Sequence, residues 1–244
     1  MLTDIFTVIE KEIKELLFQR GQGRTSLVRL LVFVGVFGIL LPLQNGIESL
    51  QSPASLAFWA WIPYLLVSSV TADTFAGERE RHTLETLLAS RLSDRAILFG
   101  KLGAVVLYGW GITVATVLLN LLTINLVYWQ GILTLYPPAL FAVILAVSLL
   151  ISVFAAGLGI AISLRAATAR AAQQTLSIIM FVLLIPLFAL SFLPKEVLAG
   201  LDAFLVGLSL PQLLAVVLLI LLVFDLGLLA YALSQFRREK LITD

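Results

Sequence analysis

Six apolar stretches dominate this sequence, at about 25–44, 54–75, 97–125, 138–163, 172–193 and 211–234, and only short connectors separate them. Each is close to the ~20 residues a helix needs to cross a hydrocarbon core roughly 30 Å thick. A soluble chain of 244 residues could not cover so many. Composition points the same way: 13% of the residues are charged, against about 25% in an ordinary soluble domain. The expectation is an all-α polytopic membrane protein with six transmembrane helices over 25–234. The third and fourth stretches exceed a simple crossing, which predicts tilt or protrusion. Pro63 and Pro186 lie inside spans, where proline usually kinks a helix.

Basic residues orient the spans. Lys11, Lys14, Arg20, Arg24 and Arg29 precede or open the first. Arg79, Arg81, Arg91, Arg95 and Lys101 surround the second connector, Arg165 and Arg170 mark the fourth, and Arg237, Arg238 and Lys240 lie in the tail. Of the 16 basic residues, only Lys195 falls on the other side. Cytoplasmic loops are enriched in Lys and Arg, so both ends are expected in the cytoplasm of a cell inner membrane. Trp59, Trp61, Tyr128, Trp129 and Tyr136 cluster near the outer ends, as an aromatic belt would.

Segment 1–24 is not a span. Ile5, Phe6, Ile9, Ile13, Leu16 and Leu17 recur at helical spacing, with Asp4, Glu10, Lys11, Lys14 and Glu15 on the other face. This is an amphipathic helix suited to the headgroup plane or to a soluble partner. The outer connector at about 194–210 mixes Lys195, Glu196 and Asp202 with apolar residues and reads as a re-entrant or amphipathic element. Residues 235–244 form a cytoplasmic tail.

Several function classes find no material. The chain has no cysteine and one histidine, His82, which leaves no thiolate or multi-histidine metal site. The net charge of +1 gives no footprint for nucleic acid. No G-x-x-x-x-G-K-[ST] loop is present to cradle phosphates, so this chain is expected to bind no cofactor and to be no enzyme by itself. Asp225 is the one acid well inside a predicted span. It calls for a partner or a wet cavity, either a substrate path or an interhelical contact with Asn120 or Asn125 of the third span. Asp73, at the inner end of the second span, is expected near Arg79 or Lys101. Ala155, Gly157, Gly159 and Ala161 allow close helix approach within a subunit or across a dimer.

The most informative stretch is the second cytoplasmic connector, AGERERHTLETLLASRLSDRAILFGK over 76–101. A charged turn leads into Thr83–Leu88, which is good helix material, and Ser93 or Asp94 can cap the helix that follows. A short cytoplasmic helix is expected within about 76–93. A solvated loop that obeys the charge rule would also account for these residues.

This stretch resembles the cytoplasmic segment of ABC-2-type transporter permeases, which runs through an acidic-basic turn, Thr-x-Glu, two leucines, a small-Pro-Leu-Ser element and a Gly-Lys pair. The matches are Glu78, Arg79, Glu80, Thr83, Glu85, Leu87, Leu88, Leu92, Ser93, Gly100 and Lys101. Two positions depart from the pattern: His82 replaces a usual glycine and Arg91 a usual proline. The resemblance implies an N-terminal elbow helix, six spans and a permease that pairs with a second copy, as a homodimer or heterodimer. It also implies docking, through a coupling helix, on a separate ABC ATP-binding subunit that carries ATP and Mg. The residues implied at that contact are Glu78, Arg79, Glu80, Arg81, Thr83, Glu85 and Leu88. The function so implied is an ATP-driven exporter. The alternatives are an ion-coupled secondary transporter, for which the sequence shows no inverted repeat, and a non-transporting membrane scaffold.

Overall fold

The computed structural model describes residues 1–18, 23–52, 55–190 and 210–236, and these contain helices and connectors but no strand. The helices are α1 (Leu2–Phe18), α2 (Gly23–Gly35), α3 (Leu41–Asn45), α4 (Glu48–Gln51), α5 (Ser55–Glu80), α6 (Leu84–Leu88), α7 (Asp94–Val127), α8 (Pro138–Ser163), α9 (Ala169–Leu190) and α10 (Leu210–Gln235). A π-helical turn, Val36–Leu40, joins α2 to α3. Three helices among the described residues are long and apolar enough to cross a membrane: α7, α8, and α10 from Pro211 onward. A shorter apolar helix runs over Leu30–Asn45. Helices α5 and α9 reach spanning length, at 26 and 22 residues. The outer element expected at 194–210 lies outside the described residues except for Leu210, as does the tail beyond Phe236.

Helix α8 is the axis of the bundle. It is flanked by α5, α7, α9 and α10, and its small residues explain how. A Cβ added at Gly159 would lie 2.5 Å from Thr71 Cβ of α5, and one at Gly157 would lie 3.2 Å from Leu228 Cβ of α10. The small-residue stripe of α8 is thus spent on packing inside the subunit, on both sides. Thr71 faces Gly159 and Phe75 faces Ser163, so α5 and α8 run parallel. Helix α7 runs antiparallel to both. Gly109 of α7 sits against Val67 of α5, with no room for a Cβ, and Trp110 Nε1 donates to the Leu145 carbonyl of α8 at 3.2 Å.

Local chemistry sets the helix ends. Ser93 caps α7: its backbone is extended and its hydroxyl accepts the Ala96 N–H at 3.2 Å. Pro138 opens α8 at the first helical position, where a missing N–H costs nothing. Between them, Asn125 closes the 128–137 connector by exchanging two 2.8 Å hydrogen bonds with the Thr134 backbone. At 34 residues, α7 is about 51 Å long, so it protrudes well beyond a hydrocarbon core, as its long apolar run predicts.

Helix α5 runs on to Glu80, beyond the apolar run that ends near 75. Three expectations need correction. Trp59 and Tyr136 do not form a lipid-facing belt: they are 3% and 6% exposed, in a core cluster with Leu50, Ile62 and Ile144. Of the five aromatic residues expected in the belt, Trp129 and Tyr128 stay exposed, at 59% and 36%. Asp73 pairs with Arg81 at 3.1 Å, not with Arg79 or Lys101, because both of those are taken up elsewhere. Asp225 does not meet Asn120 or Asn125. Asn125 is occupied by Leu121 and Thr134, and Asn120 Oδ1 accepts a bond from Ser49. Asp225, on α10, is buried with both carboxylate oxygens unpartnered.

Candidate coupling site

The connector from α5 to α7 is built on a specific helix ending. The Thr83 N–H bonds to the Glu78 carbonyl at 2.9 Å, and the His82 N–H bonds to the Arg79 carbonyl at 3.1 Å. This pair of bonds is a Schellman ending with His82 at the position that must turn left-handed. His82 has φ of 55° and is the only non-glycine with positive φ among the described residues. The glycine usual here in the resembled pattern has a plain reason: without a Cβ, the left-handed region is open to it. Departure from glycine leaves the turn intact and strains one residue.

Helix α6 follows, five residues long. Leu87 and Leu92 on either side of its end pack against the core cluster that holds Phe75, Ile97 and Leu98. The opposite side is polar. Glu80, Arg81, His82, Thr83, Glu85 and Arg91 are all exposed. The connector is therefore a small amphipathic platform, seated on the bundle by its leucines. The side chain of Leu88 lies outside the described residues.

Glu78 and Arg79 do not share this outward face. Glu78 is 6% exposed and meets Lys101 Nζ at 2.8 Å. Lys101, 1% exposed, also meets Glu12 of α1 at 2.9 Å and lies 5.4 Å from the centre of the Phe75 ring. Two carboxylates thus share one ammonium, and Glu78 Oε2 is left without a partner. Burial pushes the Glu12 carboxyl up, but the charges and hydrogen bonds of Lys101 and Lys11 together outweigh it and hold it below its ordinary value. Gly100 lets α1 come this close: a Cβ there would lie 2.5 Å from Val8 Cβ. The Gly100-Lys101 pair thus has a structural function in this chain. The glycine admits α1 and the lysine ties it to α5.

Arg79 works at the neighbouring helix end. Its guanidinium donates to the carbonyls of Leu164 and Ala166 at 2.9 and 2.6 Å, which answers orphan acceptors at the C-terminus of α8. Ser163 completes the joint. Its hydroxyl accepts from the N–H groups of Phe75 and Ala76 and donates to the Ala72 carbonyl. The C-terminal ends of α5 and α8 are therefore fastened twice, beside the exposed connector.

Sequence reasoning missed Glu12 and Ser163. Glu12 carries a signal: it stands at stripe spacing from Val8 and Leu16, so it is a charge set into the apolar face of α1. Ser163 carries none, since a serine at a helix end is ordinary.

Residues 39–209 match the family described as ABC-2 family transporter protein. The match covers well over half of the chain. The chain belongs to the ABC-2 transporter family. Comparison with curated proteins finds no match. ABC-2 permeases are membrane subunits, are not catalytic themselves and associate with an ABC ATP-binding subunit. The apolar helices and the family together make this ABC-2 protein a multi-pass membrane protein.

Proposed function

We propose that this ABC-2 protein is the permease subunit of an ATP-driven exporter, works as a dimer, and docks a separate ATP-binding subunit on residues 80–91. The observation that carries the reading is the connector itself: an exposed polar face on a short helix whose base is keyed to α1, α5, α7 and α8. A push on that face has no soft element to dissipate it. It reaches α5 through the Schellman turn, α7 through the Ser93 cap, α8 through Arg79 and Ser163, and α1 through Lys101. Coupling of this kind needs a rigid element that two states of a partner can displace.

In this reading Glu80, Arg81, Thr83 and Glu85 contact the ATPase, and ATP and Mg bind only there. Glu78 and Arg79 act behind them, transmitting rather than touching. Helices α2 to α3, α5, α7, α8, α9 and α10 supply six spans, with both termini and the connector in the cytoplasm of a cell inner membrane. Helix α1 is the elbow, with Phe6 and Leu2, both strongly exposed, reaching the lipid headgroups.

The test is co-purification of an ABC ATP-binding subunit co-expressed with this chain. The subunit is expected to co-elute with the wild type and to be lost when Glu80 and Glu85 are both changed to Lys. Unchanged co-elution of the double variant, or no co-elution with the wild type, overturns the reading.

A further inference from the structure

The hairpin formed by α7, the 128–137 connector and α8 carries no charge. From Leu102 to Leu164 the sequence holds no Asp, Glu, Lys, Arg or His. Along α7, Leu107, Gly111, Ala115, Leu118, Leu122 and Leu126 are all exposed, and they recur at helical spacing. Leu107 and Leu126 are 19 residues apart, about 28 Å along the helix, close to one hydrocarbon thickness. This stripe has the length and the composition of a lipid-facing surface.

The stripe does not end with the helix. Leu126 is 72% exposed, and Val127, Tyr128 and Trp129 follow it into the open. Ile132, Leu133 and Leu135 continue it through the connector, at 71%, 61% and 56%. Contiguous exposed apolar surface of this kind marks a site of interaction. The tip is also held in one shape. Asn125 exchanges two hydrogen bonds with the Thr134 backbone, Tyr128 Oη donates to the Leu43 carbonyl of α3 at 2.6 Å, and Gly131 makes the turn with φ of 85°. The apolar side chains are thus presented on a fixed backbone. The Asn125 clasp satisfies backbone groups that lipid could not.

These features select what surrounds the tip. Water would bathe Leu126, Val127, Trp129, Ile132, Leu133 and Leu135 with no charged side chain beside them. A protein partner covers one side of a helix end. Here four consecutive residues, Leu126 to Trp129, are open, and at about 100° per residue they point in every direction. A fluid apolar layer meets all of them at once. Tyr128 and Trp129 suit the depth at which acyl chains give way to headgroups. We propose that the tip of the α7–α8 hairpin is a lipid anchor. It inserts Trp129, Ile132, Leu133 and Leu135 among the acyl chains, just beneath the headgroups of the leaflet away from the α5–α7 connector. With no basic side chain to hold a phosphate, the anchor recognises the apolar layer and not a particular headgroup. The inference stands on the hairpin alone and is independent of the ATPase.

The chain has no native cysteine, so one introduced thiol carries a spin label at one site. Labels at Ile132→Cys, Leu133→Cys and Leu135→Cys in the full chain are read in phosphatidylcholine nanodiscs. Their relaxation is measured with oxygen, which concentrates in lipid, and with a water-soluble nickel chelate. Leu118→Cys, within the α7 stripe, is the lipid reference, and Arg91→Cys, on the exposed α5–α7 connector, is the water reference. All five positions are exposed or nearly so, and normal elution of each variant confirms that it folds. At the three tip positions oxygen is expected to relax the label several-fold more than the chelate does, as at 118 and opposite to 91. Chelate relaxation at the tip equal to that at 91 places the tip in water and overturns the proposal. Immobilised labels that neither reagent reaches place it under protein, a second copy or another partner, and overturn it as well.

Discussion

His82 carries a backbone conformation that L-residues avoid, at a cost of about 1–2 kcal/mol, and it does so in a turn whose hydrogen bonds are otherwise well formed. His82→Gly is therefore expected to stabilise the chain by about 1 kcal/mol, read as a rise in the thermal midpoint in micelles. A fall would mean that the imidazole makes a contact worth more than the strain. Lys101 is the converse case. Truncating one partner of a buried ion pair typically costs about 3–5 kcal/mol, and Lys101→Ala leaves the buried Glu78 with no cation and Glu12 with Lys11 alone. Severe destabilisation is expected, largely relieved by Glu78→Gln in the same chain, and thermal melting of the single and double variants measures both. The pH dependence has a definite sign. The Glu12 carboxyl is held below its ordinary value of 4.5, so its contribution is complete above about that pH and is lost as pH falls through the lower folded value. Proteolysis of the α1 segment should accordingly accelerate in that acid range and stay constant from pH 6 to 8.

Among the elements, the α5–α8 pair is the joint on which the others depend. Gly159→Val would drive two methyl groups into Thr71, and the parallel contact would have to open. Overpacking of this kind costs about 1–3 kcal/mol, whereas the same change at Gly111, where nothing lies within 4 Å of an added Cβ, should cost nothing in packing and gain slightly in helix propensity. Melting temperatures of the two variants check the contrast. Much of this level was legible in advance. The apolar runs located α7, α8 and α10 to within a few residues, and the Ser93 cap and the short helix after Thr83 were readable from capping chemistry. What the sequence could not give was orientation about each helix axis. Nothing in periodicity tells that Glu78 turns inward to Lys101 while Glu80, two residues on, turns outward. Nor does it tell that Trp59 and Tyr136, which look like belt residues, are enclosed by Leu50 and Ile144. Those outcomes depend on which helices become neighbours, and a single sequence with no pairing information does not specify that.

For the whole molecule, the proposed six-span topology makes a simple demand. Accessibility tags at residues 48 and 200 should report the outer side and a tag at 85 the inner side; any other pattern removes the connector from the reach of a cytoplasmic ATPase. Asp225 adds a second demand. Its carboxyl is buried and unpartnered in the most apolar helix, α10. Asp225→Leu is expected to raise the thermal midpoint, by the equivalent of about 1–3 kcal/mol, while lowering any transport that uses it. A destabilised variant would instead assign it a structural partner.

The π turn at Val36–Leu40 holds Gly38 against Leu119 and offers the Gly38 carbonyl to Thr123 Oγ1 at 2.9 Å. A π turn accommodates one residue more than an α-helix would, and one residue is about 100° of rotation. The turn therefore sets the angular phase of everything after it. Leu41, Pro42 and Asn45 line a half-open hollow together with Trp59 of α5 and Asn120 of α7 because that extra residue is there. Deleting one residue from the turn would leave the first helix nearly as long and as apolar, yet would swing this wall away from Asn120. A chain so shortened would keep its place in the membrane and lose the shape of its far end, as a key keeps its shank when the bit is filed round.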